Sequence, residues 1–254
     1  MAGIFKKTIR TILRCMPTPV QRMIRSIQWE NARLRREHWY LEWAGRQEFF
    51  RRAFLALQFN EVGGDYAEFG CWRGQTFTMA YEESRRAGLN CKLWAFDSFT
   101  GLPPQALPED EHPKWIQGTM HTSLEEFHAI LKENGILKSA YEVVPGYYDV
   151  TLAPTASDSR LPADLCMAYV DCDLYSSTSA VLKFLLPRLK HGMILAFDDY
   201  FCYSSRQLPG ERRACNEVFN AHPDWQLVPY IQYGWHGMSF FVESKRLWPC
   251  SDAP

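Results

Sequence analysis

Four aspartates close two apolar runs. Met167–Val170 stops at Asp171, with Asp173 just beyond, and Met193–Phe197 stops at Asp198 and Asp199. Short apolar runs bounded by polar residues read as buried strands. Between them Ser176, Ser177 and Thr178 supply helix-start chemistry, and Val181, Phe184, Leu185 and Leu189 recur at helical spacing before Gly192. Pro187 should kink that helix or end it early. A strand, a right-handed crossover and a second strand give a parallel pair. Both acid pairs then reach the same sheet edge, where open α/β sheets bind ligands. Carboxylates converging there repel one another unless a cation neutralises them. An all-oxygen donor set favours a hard divalent ion, Mg²⁺ or Mn²⁺. Such an ion acidifies a nearby hydroxyl, and Asp171 or Asp173 could take the proton. Taken singly, each acid also reads as a helix cap or a solvated loop residue.

The elements that must hold these acids are legible around them. Tyr66–Phe69 reads as a strand, followed by the turn Glu68-Phe69-Gly70-Cys71-Trp72-Arg73-Gly74 and a helix from Gln75. Glycines at such a turn let backbone approach a ligand closely, and the helix start favours an anionic group. Lys92–Phe96 is a second strand ending at Asp97, placed to accept hydrogen bonds from ribose hydroxyls. Glu68, Gly70, Trp72, Gly74, Asp97 and Ser98 are therefore the candidate cofactor-binding residues. From Pro104 to Met120 the chain reads as a long loop, the usual form of a lid or of a disordered segment. Ser123 opens a helix (Leu124, Phe127, Ile130, Leu131), Tyr141–Val144 is a third strand, Glu211–His222 is helical, and Trp225–Ile231 and Gly237–Val242 are two closing strands.

Residues 1 to 16 pattern as a basic amphipathic helix with Ile4, Phe5, Ile9, Ile12 and Leu13 on one face. That face suits the protein body or a second subunit, with a membrane surface as the alternative. Val20–Asn60 reads as two or three helices, with Trp39 and Trp43 as core contacts. The expected division is a helical extension over 1–60 and an α/β domain over 61–254. A formal net charge of -1 argues against a nucleic-acid partner. No apolar run is long enough to span a membrane. The eight cysteines are scattered without a Cys-x-x-Cys motif, which fits a cytoplasmic protein with reduced thiols. Histidines His121 and His236 are rival bases, each read first as structural or solvent-exposed.

With these residues in place the chain resembles the macrocin O-methyltransferase family of class I S-adenosylmethionine-dependent methyltransferases, whose members methylate sugar hydroxyls on macrolide-type natural products. The resemblance rests on Glu68–Gly74, on Phe96–Pro103, on Val170–Thr178 and on Phe197–Tyr200. It implies a Rossmann-like, mostly parallel seven-stranded sheet with an antiparallel last hairpin. It implies that Glu68, Gly70 and Asp97 hold S-adenosylmethionine, and that Asp171, Asp198 and Asp199 hold Mg²⁺. The expected activity is metal-dependent O-methylation of a small-molecule hydroxyl, on a sugar or vicinal diol, by a homo-oligomer. Two other readings stand beside it. A different nucleotide-binding α/β enzyme is disfavoured by the missing Gly-x-Gly-x-x-Gly at Gly70. A degenerate scaffold of the same fold predicts lost acids, yet all are present.

Overall fold

The computed structural model describes residues 18–153 and 161–247. The helix expected over residues 1 to 16 lies outside them. A first unit, ending at Ala44, contains α1 (Thr18–Trp39) and one π-helical turn, Tyr40–Ala44. Arg33 pairs with Glu30 and Glu37 one turn to either side, contacts that support a helix by only a few tenths of a kcal/mol. Trp39 is 58% exposed and is not the core contact expected of it.

The second unit begins at Gly45. Its first helix is α2 (Gly45–Phe59). Arg46, Phe49, Phe50, Ala53, Phe54 and Leu57 recur at helical spacing and are all buried. Phe49 stacks on Tyr233 with ring centroids 4.3 Å apart, and Phe50 lies 5.2 Å from Tyr169.

Seven strands build the sheet: β1 (Asp65–Phe69), β2 (Leu93–Asp97), β3 (Tyr141–Pro145), β4 (Leu165–Val170), β5 (Ile194–Phe197), β6 (Trp225–Tyr233) and β7 (Gly237–Ser244), in the order β3-β2-β1-β4-β5-β7-β6. β1 to β5 run parallel, and β7 is antiparallel to both β5 and β6. This is the Rossmann-like sheet with a reversed last hairpin that the resemblance implies. Helices α3 (Gln75–Arg86), α4 (Leu124–Glu133), α5 (Tyr148–Thr151), α6 (Tyr175–Leu185) and α7 (Gly210–Ala221) join the strands. β4 is buried at every position, as a strand covered on both faces must be. One apolar layer gathers Phe50, Phe54, Phe77 and Phe127, and the other gathers Val181, Phe184, Leu185 and Ala214.

The strand order reverses between β1 and β4, which creates a crevice at their carboxyl ends. Among the described residues, four of the five non-glycine positions with left-handed backbone (Arg73, Phe99, Met120 and Asp173) follow strand ends or close the loop there. Such conformations cost about 1–3 kcal/mol each and persist where surrounding structure over-determines them.

Helix starts follow the expected chemistry at α4 but not at α6. Ser123 accepts the Glu126 N–H at 3.2 Å, and the Glu126 carboxylate accepts the Ser123 N–H at 3.0 Å, a reciprocal capping box. At α6, Ser176, Ser177 and Thr178 lie inside the first turn, and the helix has no capping bond from its own N-cap side chain. The buried Asp110 carboxylate takes that role, accepting the Ser176 N–H at 2.8 Å. α6 ends at Leu185, and Pro187 sits in a following 3₁₀ turn. Among the described residues, no helix is long and apolar enough to cross a membrane.

Candidate functional site

The glycine turn leaves β1 at Gly70 and enters α3 at Gly74, both with positive φ. A Cβ on Gly70 would stand 1.8 Å from the Asp171 carbonyl oxygen, so the turn and the first acid loop share a wall. Asp97, at the end of β2, holds this turn from the other side. Its Oδ2 accepts the Cys71 N–H and its Oδ1 the Phe99 N–H, each at 2.7 Å. Ser98 donates to the Gly101 carbonyl and accepts the Thr100 N–H, shaping the loop that follows. Trp72 is partly exposed, with the Arg73 guanidinium 4.4 Å from its ring centre.

Glu68 sits beneath the turn, fully buried. It accepts from the Tyr66 hydroxyl at 2.5 Å and from the Thr76 hydroxyl at 2.8 Å. Burial pushes its carboxyl from the ordinary 4.5 up to about 8, against the two hydrogen bonds. Between those values the native state holds a proton that the unfolded chain has released, so this residue makes stability fall as pH rises from about 4.5 to about 8. Glu68→Gln fixes the uncharged bonding pattern at every pH. Thermal melts from pH 5 to 8 should show a shallower decline in the variant, with the melting temperature at pH 5 close to that of the parent. An unchanged slope would remove Glu68 from the pH dependence.

The two acid loops do converge, since β4 and β5 are adjacent and parallel. Asp198 is the most heavily engaged acid. Arg46 Nε donates to its Oδ1 at 2.9 Å, Arg46 Nη2 to its Oδ2 at 2.6 Å, and the Tyr169 hydroxyl to its Oδ1 at 2.5 Å. Burial alone would raise the Asp198 carboxyl, but the charge and hydrogen bonds of Arg46 hold it below the usual carboxylate value. Asp171 has the opposite balance. Burial, then Asp198, Asp199, Asp173 and Glu211, push it well above that value. Burial and Asp199 do the same to Asp173, whose side chain is within hydrogen-bonding reach of Asp199. The cluster carries more carboxylates than its one buried arginine neutralises. Asp171, Asp173 and Asp199 are the oxygen donors a hard divalent ion would find there, while Asp198 already has its counter-charge.

His236 is not placed as a base. Its Nε2 faces Arg46 Nη2 at 3.1 Å, where only the ring can accept, so the ring hydrogen is on Nδ1 and points at the Asp198 carbonyl. Asp199, Cys202 and His236 bring donor atoms within 4.8 Å of one another. His236 Nδ1 is nonetheless committed to that carbonyl, and the Cys202 thiol donates to Asp199 Oδ1 at 2.9 Å. Burial and Asp199 keep that thiol protonated. His121 is exposed.

The lid is tied to the body at several points. Besides the Asp110 bond to α6, Glu109 pairs with Arg213 of α7 at 3.1 Å, and Gln207 donates to the Pro108 carbonyl at 3.1 Å. Thr122, at the far end of the lid, accepts the Arg73 N–H at 2.9 Å and so joins it to the glycine turn. A cleft of about 500 Å³ lies between the lid and the 204–206 loop, with Glu111, His112 and Arg206 among its walls.

Arg46, Asp110, Tyr169 and Glu211 are site residues the sequence reading did not single out. One signal was available: Arg46 shares its helix face with Phe49, Phe50 and Ala53, and Glu211 shares its own with Ala214 and Cys215. A charged residue on an otherwise apolar face is buried with a partner or is not on that face.

The pattern that defines the macrocin-O-methyltransferase (TylF) family matches residues 44–221. A tetracenomycin-C 4'-O-methyltransferase from Streptomyces olivaceus, which acts on the 8-demethyl-8-(2,3-dimethoxy-alpha-L-rhamnosyl) compound, is 32% identical over 145 residues, 55% of this chain and 54% of that one. Demethyldecarbamoylnovobiocin O-methyltransferase from Streptomyces niveus is 30% identical over 179 residues, 66% and 65% of the two chains. The match spans about half to two thirds of these relatives. Two solved structures share the fold. They are the O-methyltransferase NovP (24% identity, 78% of this chain and 79% of that chain, TM-score 0.64) and the calicheamicin methyltransferase CalS11 (20%, 92% and 90%, TM-score 0.64). The matched stretch opens beside Arg46 and closes at the end of α7, and so takes in the glycine turn, the lid and both acid loops; the chain belongs to the macrocin-O-methyltransferase family.

Proposed function

We propose that this protein transfers the methyl group of S-adenosylmethionine to a hydroxyl of a sugar or vicinal diol on a small-molecule acceptor, with Mg²⁺ or Mn²⁺ at the acid cluster. The observation that carries the reading is the shared wall at Gly70. A turn suited to a cofactor lies directly against a surplus of carboxylates at the sheet's switch point.

In this reading Gly70, Trp72 and Gly74 would form the cofactor cradle, and Asp97 would be the acid that accepts from ribose hydroxyls. Ser98 shapes the adjoining loop, and Glu68 supports the turn from beneath. Asp171 and Asp199 hold the cation, with Asp198 as the acid already tied to Arg46. Those carboxylates would hold the cation, which would supply charge balance and acidify an acceptor hydroxyl. Asp171 or Asp173 would be the base for that hydroxyl, a contribution of about 10²–10⁴ in rate for a positioned base. The lid, held by Asp110 and Glu109, limits water at the crevice and orients the acceptor. Alignment of the sulfonium methyl with the attacking oxygen supplies the remaining positioning advantage.

The test is radiolabelled methyl transfer to a vicinal diol and to its singly deoxygenated analogue, with and without chelator. Chelator should abolish turnover and Mg²⁺ should restore it, and the deoxygenated analogue should react much more slowly. Asp171→Asn should lose about 100-fold or more of kcat while still binding S-adenosylhomocysteine. Full activity in excess chelator, or equal rates on both acceptors, would overturn the metal-assisted reading.

A further inference from the structure

The structure assigns to Glu211, a residue outside the acid pairs, the part of a positioning residue that fixes the separation of the two acid loops; this rests on the cation reading above. Glu211 lies in the first turn of α7 and is fully buried. Its Oε1 accepts the Cys172 N–H at 3.2 Å and its Oε2 the Asp199 N–H at 2.8 Å. Cys172 lies between Asp171 and Asp173, and Asp199 is itself one of the acids. One carboxylate therefore bridges the backbones that carry Asp171, Asp173 and Asp199.

The surroundings enforce this bridge. The Asp173 backbone is left-handed, with φ 58, a conformation that needs support from its neighbours. Gly210, next to Glu211, packs so closely on this loop that a Cβ there would meet Tyr175 N at 2.7 Å and the Asp173 carbonyl oxygen at 3.1 Å. The N-terminus of α7 is thus seated on the Asp173 loop, and Glu211 reaches from it to both strands' ends.

Only a carboxylate fits two inward-pointing N–H groups. Both of its oxygens accept, whereas an amide offers one acceptor and sets its own donors against the second N–H. Aspartate at the same helical position is one methylene shorter and cannot span both. Past the last ladder pair, Val170 and Phe197, the Asp198 N–H still reaches the Val170 carbonyl at 2.9 Å; beyond that point Glu211 ties the two loop backbones to one side chain, alongside the direct contact of Asp173 with Asp199.

The experiment compares the full chain with Glu211→Gln, using Mn²⁺ as the probe. Mn²⁺ affinity is read by electron paramagnetic resonance, S-adenosylhomocysteine affinity by calorimetry, and amide exchange at Cys172 and Asp199 by NMR. Loss of an outer support of this kind weakens metal binding or activity by about 10–100-fold. The expected result is a loss of that size in Mn²⁺ affinity and in kcat, with S-adenosylhomocysteine affinity and its KM counterpart unchanged, and faster exchange of at least one of the two amides. Should Glu211→Gln fail to fold, Glu211→Asp should fold and show the same pattern. Parent-like Mn²⁺ affinity and amide protection in either folded variant would overturn the assignment. If the parent chain binds no Mn²⁺, the cation reading fails on its own. The bridge is then judged by exchange alone, with lost protection supporting it and retained protection overturning it.

Discussion

Arg46→Ala is expected to destabilise the protein by about 3–5 kcal/mol, the usual cost of removing one partner of a buried ion pair. Both partners are almost fully buried, Arg46 at 6% exposure and Asp198 at 4%. The substitution strips Asp198 of both guanidinium bonds and leaves the Tyr169 hydroxyl as its side-chain donor in this set. The abandoned carboxylate then lies among Asp171, Asp199 and Glu211 without the guanidinium that balanced it, and with the His236 ring 3.7 Å away. Its cheapest response is to take up a proton more readily, and this sets the sign of the pH effect. In the parent chain the folded Asp198 carboxyl is depressed, so its contribution to stability is present above the unfolded value and is lost as pH falls through the folded one. In Arg46→Ala that acid-side loss should disappear, because Asp198 no longer releases its proton more readily in the folded state. Urea denaturation at neutral and mildly acidic pH measures both effects. The double variant Arg46→Ala/Asp198→Asn should recover part of the loss, since no buried charge is then left without a partner. Strictly additive losses would mean that the pair contributes packing and not charge compensation.

The legible part of this protein is the part whose signals are local. Asp171 and Asp198 are conspicuous because each follows an apolar run, and the parallel crossover carries them to one edge without any further information. Asp97 is conspicuous in the same way. The strands themselves are found to within a residue or two because their apolar runs are bounded by glycine, proline or charge. What was not legible is set by contacts between segments distant in sequence. Arg46 meets Asp198 across 152 positions, and Asp110 caps α6 across 66. Nothing local to Pro-Glu-Asp distinguishes a remote helix cap from a solvated lid acid. Likewise Ser176–Thr178 carry a cap signature that their backbone does not use, because the lid supplies the acceptor instead. The surface that α2 packs against is illegible for a related reason. The phenylalanines of α2 announce a buried face, but not which surface covers it.

Gly70→Ala should abolish high-affinity cofactor binding and cost several kcal/mol of stability. The new methyl group would stand 1.8 Å from the Asp171 carbonyl oxygen, a backbone atom that cannot rotate away. Overpacking of this kind costs about 1–3 kcal/mol, and a left-handed backbone at φ 95 adds roughly 1–2 for any residue with a Cβ. To relieve the clash the two loops must separate. The ladder bonds there, Asp171 N–H to the Phe69 carbonyl at 2.8 Å and Gly70 N–H to the Phe96 carbonyl at 2.9 Å, resist that movement. Displacing the turn also pulls Cys71 from Asp97, whose carboxylate holds its N–H. One methyl group thus disturbs the glycine turn, Asp97 and the wall of the acid cluster together. Gly88→Ala is the matched control, because Gly88 also has positive φ but a Cβ there would meet nothing within 4 Å. It should show the backbone penalty alone, with S-adenosylhomocysteine affinity unaltered. Calorimetry and thermal melts on the two variants separate close approach from conformational strain. If Gly70→Ala bound S-adenosylhomocysteine like the parent and lost no more stability than Gly88→Ala, the shared wall would not be what joins the two halves of the site.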